Sequence, residues 1–436
     1  MKKRPQRIAA YWLITVLFCI SLIAGGILIL TDVIRLARFG AGARAVSGWF
    51  FIIIGVASGY FGSQRCFWLL VSWLSSSDFK PKNGRGQKGP KIVVVGGGTG
   101  LGTILRGLKE ITSNLTAIVT VADDGGSSGR LRKEFGILPP GDIRNCLVAM
   151  ADIEPLMEGL MQYRFSGNSD LAGHSFGNLF LTVMTDITGD FEQAIRESSK
   201  VLAVRGQVLP ATLENVTLKA EMVDGSMVRG ESAITASELA IKRIFLEPDD
   251  VKPLRESVNA INEADLVILG PGSLYTSVIP NLLVKEIREA LRNASAIKLY
   301  ICNAMTQPGE TDHYTASDHI RAILQHAGPE LIDIAVINTE AIPPDLMERY
   351  AEEGAEPVAA DFERVKALGV TPFGLEVIVK SNLIRHDATK LAQMVLNLYR
   401  TQRFGKAFGK KLSRKIYQKL YRFFKGLTTL LVSRLP

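Results

Sequence analysis

Two glycine-rich segments carry residues whose types and spacing suit binding of an anion. The first is KIVVVGGGTGLGTILRG, Lys91 to Gly107, in which four apolar residues run into a glycine turn and then into apolar residues at helical spacing. The second, DLVILGPGSLYTSVIPNLL, begins at Asp265 and repeats the pattern. A glycine turn at a helix start exposes backbone N–H groups to an anion, and the helix dipole adds to the attraction. Each segment therefore predicts a phosphate cradle or, alternatively, a structural strand-to-helix turn.

The first loop departs from the strict dinucleotide-binding pattern, because the last glycine of G-x-G-x-x-G would fall at Leu101. Alone, it is a weak signal for a ligand. Two such loops at corresponding strand ends are a more specific signal, and hydroxyl groups in the second loop offer further donors to an anion. The candidate ligand-binding residues of the two loops are Gly97, Gly98, Thr99, Gly100, Gly270, Gly272, Ser273 and Thr276.

A third polar segment, ADDGGSSGRLR, follows another apolar run and should lie beside the first loop. Asp123 and Asp124 have the chemistry to accept hydrogen bonds from a ribose or to hold Mg²⁺, and Arg130 and Arg132 have the charge to meet phosphate. The alternative is an Asp-Gly turn with solvated charges.

Two further motifs contribute candidate ligand contacts. In LPPGDIRNCL, the prolines favour a helix start at which Asp142 is expected to act as a cap, while Arg144 and Asn145 are placed to face a ligand. In GHSFGNLFL, His174 and Asn178 suit polar ligand contacts, although an interior histidine is an equal alternative. The segment lacks a G-x-S-x-G motif, which disfavours covalent catalysis there.

Asn303 begins the segment NAMTQPGET, directly after a strand predicted at Ile297 to Cys302, and is a candidate for reading a base or sugar. Three histidines follow, His313, His319 and His326, whose spacings of six and seven do not match H-E-x-x-H. The four cysteines are scattered and form no C-x-x-C pair. These patterns predict no metal site; if Mg²⁺ binds, Asp123 and Asp124 are the expected ligands.

Alternating strand and helix patterns must position these residues. They predict a Rossmann-like, doubly wound, mainly parallel sheet, in which ligands bind outside the carboxyl ends of the strands. A stretch of alternating polarity around the turn Asp224-Gly225 predicts a small antiparallel insertion. The predicted elements are strands at Ile92 to Val95, Leu115 to Val121, Asp265 to Leu269, Ile297 to Cys302 and Ile332 to Asn338, the insertion at Val208 to Ile234, and a closing helix at Thr389 to Tyr399.

The N-terminal region predicts a membrane anchor. Tyr11 to Leu30 is an uncharged stretch long enough to cross a bilayer, and Ser47 to Ser63 predicts a second span or a re-entrant segment. The loop between them is the poorest in basic residues, so both ends of this transmembrane hairpin should be cytoplasmic. The predicted organisation is an anchor at residues 1–74, a flexible linker at 75–90, a ligand-binding domain at 91–399 and a basic tail at 400–436.

The net charge of +8 is unevenly distributed. Residues 1–91 carry +11 and residues 388–436 carry +12, which leaves −15 for the middle. An acidic folded region argues against a nucleic-acid-binding domain. In the tail, apolar residues recur every four positions from Phe404 to Phe424 with basic residues between them, as in a helix lying on an anionic bilayer. A nucleic-acid arm and a helix that binds a protein partner are the alternatives.

The chain resembles the gluconeogenesis factor family of the YvcK type, a branch of the fold shared with 2-phospho-L-lactate transferase. The resemblance runs from about Lys91 to Asp387. It rests on six motifs in order, which are VVVGGGTGLGTILRGLK, ADDGGSSGRLR, LPPGDIRNCL, HSFGNLFL, GPGSLYTSVIPNLL and CNAMTQPGET.

The resemblance implies a regulatory protein that binds a nucleotide ligand, with UDP-sugars as the expected class, and that controls cell shape and envelope synthesis under gluconeogenic growth. It also implies an alternative, a Mg²⁺-dependent transferase acting on a nucleotide-diphosphate-linked substrate. No cofactor is expected to be required, apart from Mg²⁺ with a bound nucleotide-sugar or dinucleotide. The expected partners are a UDP-sugar, the membrane and a second copy of the chain, and the expected location is the cell membrane with the ligand-binding domain in the cytoplasm.

Overall fold

The computed structural model of the protein describes residues 89–152, 155–376, 378–379 and 385–408. The two predicted membrane spans, the linker up to residue 88 and the tail beyond residue 408 lie outside the described residues. Within the described ranges, no helix combines the length and the apolarity that crossing a bilayer requires.

Seven parallel strands form the main sheet, and their order is β10-β9-β8-β7-β1-β2-β3. From β1 the chain moves outward through β2 to β3, and from β7 it moves outward in the opposite direction, so the order reverses between β1 and β7. The strands are β1 (Ile92–Gly96), β2 (Leu115–Val119), β3 (Gln207–Pro210), β4 (Thr217–Met222), β5 (Met227–Arg229), β6 (Ile241–Glu247), β7 (Leu266–Leu269), β8 (Ile297–Ile301), β9 (Ile334–Asn338), β10 (Thr371–Leu375), β11 (Ile378–Val379) and β12 (Arg385–His386).

The helices cover the sheet, as parallel strands with two buried faces require. They are α1 (Gly98–Leu108), α2 (Gly126–Phe135), α3 (Gly141–Met150), α4 (Pro155–Gln162), α5 (Phe176–Thr188), α6 (Phe191–Val201), α7 (Glu231–Thr235), α8 (Arg255–Asn262), α9 (Ile279–Leu283), α10 (Lys285–Asn293), α11 (Ala316–Ala327), α12 (Pro344–Glu352), α13 (Phe362–Ala367) and α14 (Ala388–Phe408). A π-helical turn, Leu274–Val278, precedes α9.

The mainly parallel sheet and the small antiparallel insertion are both confirmed. Every residue of β1 and β2 is buried, which explains their continuous apolar sequence. Strands β5, β4 and β6 form the antiparallel sheet, with the predicted Asp224-Gly225 turn between β4 and β5. The insertion begins later than predicted, because Val208 belongs to edge strand β3 of the main sheet. The closing helix α14 continues past residue 399, the predicted end of the domain.

Candidate functional site

The two glycine loops lie side by side at the point where the strand order reverses. Strand β1 pairs in parallel register with β7, so the loops that follow them leave the same edge of the sheet. A Cβ atom added to Gly100 would lie 2.8 Å from the carbonyl oxygen of Pro271, a separation that only glycine permits. The side-chain amide of Asn281 ties the loops together by donating to the carbonyl oxygens of Gly96, at 3.2 Å, and Ser277, at 2.8 Å.

A cavity of about 540 Å³ opens above these loops and includes most of the loop residues that the sequence identified. This volume lies within the usual range for small-molecule sites. The predicted residues that line it are Gly97, Gly98, Thr99, Gly100, Asp123, Gly272, Ser273, Thr276 and Asn303. Ser277, another of the second-loop hydroxyls expected to meet an anion, also lines it. The lining residues that sequence reasoning did not assign to a site are Thr103, Asp142, Glu231, Pro271, Ala304, Met305, Gln307, Tyr350 and His386.

The first loop presents the open helix start. Gly97 is the N-cap of α1 and no side chain caps the helix, whose first turn also contains no acidic residue. Gly98 has φ +66, a left-handed conformation that glycine adopts without strain. The positive end of the helix dipole therefore faces the cavity. One amide is engaged, because the N–H group of Gly98 donates a hydrogen bond to the carboxylate of Asp142.

Hydrogen bonds to other protein groups stabilise the second loop. The buried Glu310 carboxylate accepts hydrogen bonds from the Tyr275 N–H group at 3.1 Å, the Thr276 hydroxyl at 2.8 Å and the Gln307 side-chain amide at 3.0 Å. Burial raises the pKa of Glu310, and the hydrogen bonds from Thr276 and Tyr275 oppose that shift. The Thr276 hydroxyl was predicted to donate a hydrogen bond to an anion. In this structure it donates to the Glu310 carboxylate instead.

Asn303 also braces the second loop. Its side-chain amide donates to the Gly272 carbonyl oxygen at 3.0 Å, and its side-chain oxygen accepts from the Gly272 N–H group at 3.4 Å. Asn303 also lines the cavity, and its role in reading a base or sugar stays a prediction. The polar groups of the second loop bond Glu310 and Asn303, whereas no side chain caps the helix that follows the first loop. The first loop is therefore the principal candidate for holding phosphate.

Three carboxylates flank the cradle: Asp123, Asp142 and Glu231. Burial, followed by repulsion from Asp123, raises the pKa of Asp142 to about 7, although the hydrogen bond from Gly98 and the charge of Arg144 oppose this shift. The same two leading causes raise the pKa of Glu231 to about 8. The site therefore holds carboxyl groups that bind protons near neutral pH.

The predicted capping role of Asp142 is wrong. Helix α3 has Pro140 at its N-cap position and no side-chain cap hydrogen bond. Asp142 instead meets the first loop, where a Cβ atom on Gly97 would lie 2.4 Å from its Oδ2 atom. The prolines predicted the helix start correctly, but they gave no indication that the carboxylate would turn toward the cradle.

Asp124 and the two arginines of its segment do not line the cavity. Asp124 accepts hydrogen bonds at the start of α7, from the Ser232 N–H group at 2.9 Å and the Glu231 N–H group at 3.1 Å. Arg130 donates to the Ala172 carbonyl oxygen at 2.7 Å, and Arg132 donates to the Val216 carbonyl oxygen at 2.5 Å. These side chains hold neighbouring segments together.

The remaining predicted residues form a polar network behind the cavity wall. Arg144 donates to the side-chain oxygens of Asn178, at 3.0 Å, and Asn145, at 2.7 Å, and it also bonds the Ser175 hydroxyl. His174 pairs through Nδ1 with the Ser127 hydroxyl at 3.1 Å, and its pKa is lowered by burial and then by Arg130. The interior-histidine alternative is therefore the one that the structure supports. Gly270, with φ +71, also stands outside the cavity lining and shapes the turn.

The predicted pair of Mg²⁺ ligands is divided between two places. Asp124 accepts hydrogen bonds at the start of α7 and does not line the cavity, whereas Asp142 lines it together with Asp123. Across the described part of the chain, no group of three or more His, Cys, Asp or Glu side chains is arranged to hold a metal ion. Mg²⁺ commonly uses only one or two carboxylates together with substrate phosphates, so Asp123 and Asp142 would suffice only with a phosphate-bearing ligand.

A doubly wound sheet with glycine loops and a polar cavity at the point of strand reversal defines an α/β protein of the Rossmann-like, ligand-binding class. Residues 92–378 match the family model described as 2-phospho-L-lactate transferase CofD, and the chain belongs to that family.

Relatives support the same assignment and match the chain over most of their own length. The gluconeogenesis factor of Bacillus subtilis is 55% identical over 316 residues, covering 72% of this chain and 99% of the relative. The gluconeogenesis factor of Halalkalibacterium halodurans is 54% identical over 311 residues, covering 71% of this chain and 97% of the relative. The crystal structure of a UPF0052 family member from Bacillus halodurans is 53% identical, with a TM-score of 0.69, and covers 71% of this chain and 100% of the solved one.

Proposed function

We propose that the chain is a nucleotide-sugar-binding regulatory protein whose ligand class is the UDP-sugars. The observation that carries this proposal is the uncapped start of α1 at Gly97, which faces a cavity large enough for such a ligand. The diphosphate would accept hydrogen bonds from the first loop, while the sugar and base would occupy the remaining polar volume. The names of the two relatives support a role in gluconeogenic growth, and control of cell shape and envelope synthesis is part of the same proposal.

A second candidate function is a Mg²⁺-dependent transferase acting on a nucleotide-diphosphate-linked substrate. The description of the matching family and the cavity carboxylates favour it. Glu231, whose pKa is raised to about 8, has the proton affinity that suits a general base for an acceptor hydroxyl. Mg²⁺ would neutralise phosphate charge at Asp123 and Asp142 when bound.

Thermal-shift measurements on the purified full-length chain separate these functions from one another. The ligands compared are UDP-N-acetylglucosamine, UDP-glucose, GDP and NAD, each with and without Mg²⁺. Of these, a UDP-sugar is expected to raise the melting temperature most, because a ligand stabilises the folded state that binds it. Mass analysis of each mixture then tests turnover. Stabilisation without a new product supports the regulator, and a new product supports the transferase. No stabilisation by any member of the panel would contradict both.

We also propose that the predicted hairpin and tail hold the ligand-binding domain on the cytoplasmic face of the cell membrane. The proposal rests on the uncharged stretch Tyr11 to Leu30 and on the basic ends of the chain. In spheroplasts, the domain after Lys91 is expected to resist external protease until the membrane is permeabilised. Digestion in sealed spheroplasts would contradict this topology.

A further inference from the structure

The carboxyl group of Glu231 reaches the ligand cavity from the antiparallel insertion rather than from a loop of the main sheet. Glu231 is the first residue of α7, which lies between β5 and β6. The glycine loops of the cavity, by contrast, follow β1 and β7, which pair directly. Contacts other than the pairing of the main sheet must therefore hold Glu231 in the cavity.

Asp124 makes such contacts at the start of α7. Its Oδ2 atom accepts a hydrogen bond from the Glu231 N–H group at 3.1 Å. Its Oδ1 atom accepts hydrogen bonds from the Ser232 N–H group at 2.9 Å and from the Ser232 hydroxyl at 2.8 Å. Both carboxylate oxygens of Asp124 thus bind the short stretch of backbone that carries the Glu231 side chain.

Two glycines allow α7 and the loop after β2 to approach this closely. Gly230 has φ +102, and a Cβ atom added to it would lie 2.6 Å from the Asp124 Oδ2 atom. A Cβ atom added to Gly125 would lie 2.9 Å from the Ser232 Oγ atom and 3.7 Å from the Glu231 Oε2 atom. These short separations leave no room for a side chain between Asp124 and α7, so the position of Glu231 depends on that of Asp124.

The other end of α7 packs against the opposite half of the sheet. Gly309, in the segment after β8, has φ +79, and a Cβ atom added to it would lie 2.6 Å from the carbonyl oxygen of Thr235, the last residue of α7. In the sheet, β2 and β8 lie on opposite sides of the β1–β7 pair. Helix α7 therefore connects the two halves of the sheet at the point of strand reversal.

The surroundings of Glu231 determine what its carboxyl group can do. The charged groups that face it are Asp123, Asp124, Asp142 and Glu310. Burial, followed by repulsion from Asp123, raises the pKa of Glu231 to about 8, so the group is mostly protonated at pH 6.5. A protonated carboxyl group donates a hydrogen bond, which a phosphate oxygen accepts, whereas a carboxylate would repel the phosphate.

We propose that Asp124 is a positioning residue, which holds the Glu231 carboxyl group in the cavity at the place where it contacts the phosphate-bearing ligand. The proposal rests on the proposed function for the identity of the ligand, and on the contacts of α7 for the position of Glu231. Asp124 does not line the cavity, so it acts on the ligand only through Glu231. The second aspartate of ADDGGSSGRLR thus has a role other than that of a Mg²⁺ ligand.

The position of Glu231 is tested without a ligand, by urea unfolding of the purified full-length chain in a mild detergent between pH 5 and pH 8. Folded Glu231 keeps its proton up to a pH of about 8, whereas the unfolded chain releases it near the ordinary glutamate pKa of 4.5. The free energy of unfolding should therefore fall as the pH rises, and the slope measures the protons bound. Glu231→Gln should reduce this slope by up to one proton.

Asp124→Asn should reduce the slope by a similar amount. An amide nitrogen cannot accept a hydrogen bond from a backbone N–H group, so the start of α7 is released and the Glu231 carboxyl group moves toward water. Gly230→Ala keeps every charge but displaces the Asp124 carboxylate, and it should reproduce the reduced slope. This second variant decides the question if Asp124→Asn does not fold.

Ser232→Ala is the matched control for these variants. It removes only the hydroxyl bond to Asp124 and keeps the hydrogen bonds from both backbone N–H groups, so the wild-type slope is expected. A wild-type slope in Asp124→Asn, with the free energy of unfolding lowered equally at every pH, would overturn the proposal, because Asp124 would then only stabilise the start of α7.

Titration calorimetry with UDP-N-acetylglucosamine at pH 6.5 tests the contact with the ligand. Asp124→Asn and Glu231→Ala should each weaken binding about tenfold, as expected for the loss of one hydrogen bond to a charged group. The double variant should bind no more weakly than Glu231→Ala, because Asp124 acts through Glu231. Multiplied losses, about 100-fold in the double variant, would contradict the proposal. Absence of UDP-sugar binding by the wild type would contradict the proposed function, while the unfolding slopes still decide whether Asp124 positions Glu231.

Discussion

Replacement of Gly100 by alanine is expected to weaken UDP-sugar binding by at least about 100-fold, which corresponds to about 2.7 kcal/mol of binding free energy. The added Cβ would lie 2.8 Å from the Pro271 carbonyl oxygen and 3.1 Å from the Gly272 Cα atom. Both contacts are backbone atoms of the second loop, which cannot rotate away as a flexible side chain would. The loops must therefore separate, and the amides of the first loop lose their alignment with the diphosphate.

Gly102→Ala is the matched control for this prediction. It lies on the same helix, but the nearest atoms to its added Cβ, the Ala149 Cβ and the Asn145 carbonyl oxygen, are at 3.6 Å, an ordinary contact distance. Isothermal titration calorimetry measures binding, and the circular dichroism melt confirms that both variants are folded. Wild-type affinity in a folded Gly100→Ala variant would show that the close approach of the loops does not hold the ligand.

The loop positions were predictable from the sequence because local pattern and sheet topology determine them. Apolar runs that end in glycine mark β1 and β7, and the carboxyl ends of parallel strands meet at one edge of the sheet. The sequence therefore places Gly97 and Gly272 at corresponding strand ends, and in the structure both line one cavity. The pairing of β1 with β7 does not follow from this rule, because it joins segments about 170 residues apart and depends on long-range packing.

The acidic part of the site was not predictable in the same way. Asp123 and Asp124 are adjacent in sequence, yet only Asp123 lines the cavity, because Asp124 bonds the start of α7. Glu231 reaches the cavity from the antiparallel insertion, and Glu310 reaches the second loop from the segment after β8. Such placements depend on long-range packing, which no local pattern encodes. The positions of buried carboxylates near a glycine loop can therefore be identified from the structure but not from a sequence motif.

The carboxylates impose a condition on any anionic ligand. A diphosphate placed on the first loop would lie beside Asp123, Asp142 and Glu231, and like charges at short range repel strongly where water is excluded. Protons or Mg²⁺ must offset that repulsion. Asp142 opposes phosphate binding most directly of the three. It already accepts the hydrogen bond from the Gly98 N–H group, for which a phosphate oxygen would have to compete.

Asp142→Asn is therefore expected to tighten UDP-sugar binding about tenfold at pH 8 in the absence of Mg²⁺, and to have little effect at pH 6. With a pKa of about 7, wild-type Asp142 is mostly protonated at pH 6 and mostly ionised at pH 8, so wild-type affinity should fall across this range. Asparagine has nearly the same shape and remains neutral. Titration calorimetry at pH 6, 7 and 8 measures the difference, and equal pH dependence in both proteins would exclude Asp142 as the group responsible.

The same substitution has a predictable effect on folding. The folded protein holds the Asp142 proton up to a pH of about 7, whereas the unfolded chain releases it near the ordinary aspartate pKa of 3.8. The free energy of unfolding should thus fall as the pH rises between these values, by up to about 1.4 kcal/mol per pH unit for this group. Asp142→Asn removes this contribution, so urea unfolding should show a shallower pH dependence and a more stable protein at pH 8. Asp249→Asn, at an exposed loop position, should leave the profile unchanged. If the free energy of unfolding of the Asp142→Asn variant depended on pH as steeply as that of the wild type, another group would be responsible for the pH dependence. Glu231 would then be the next group to test.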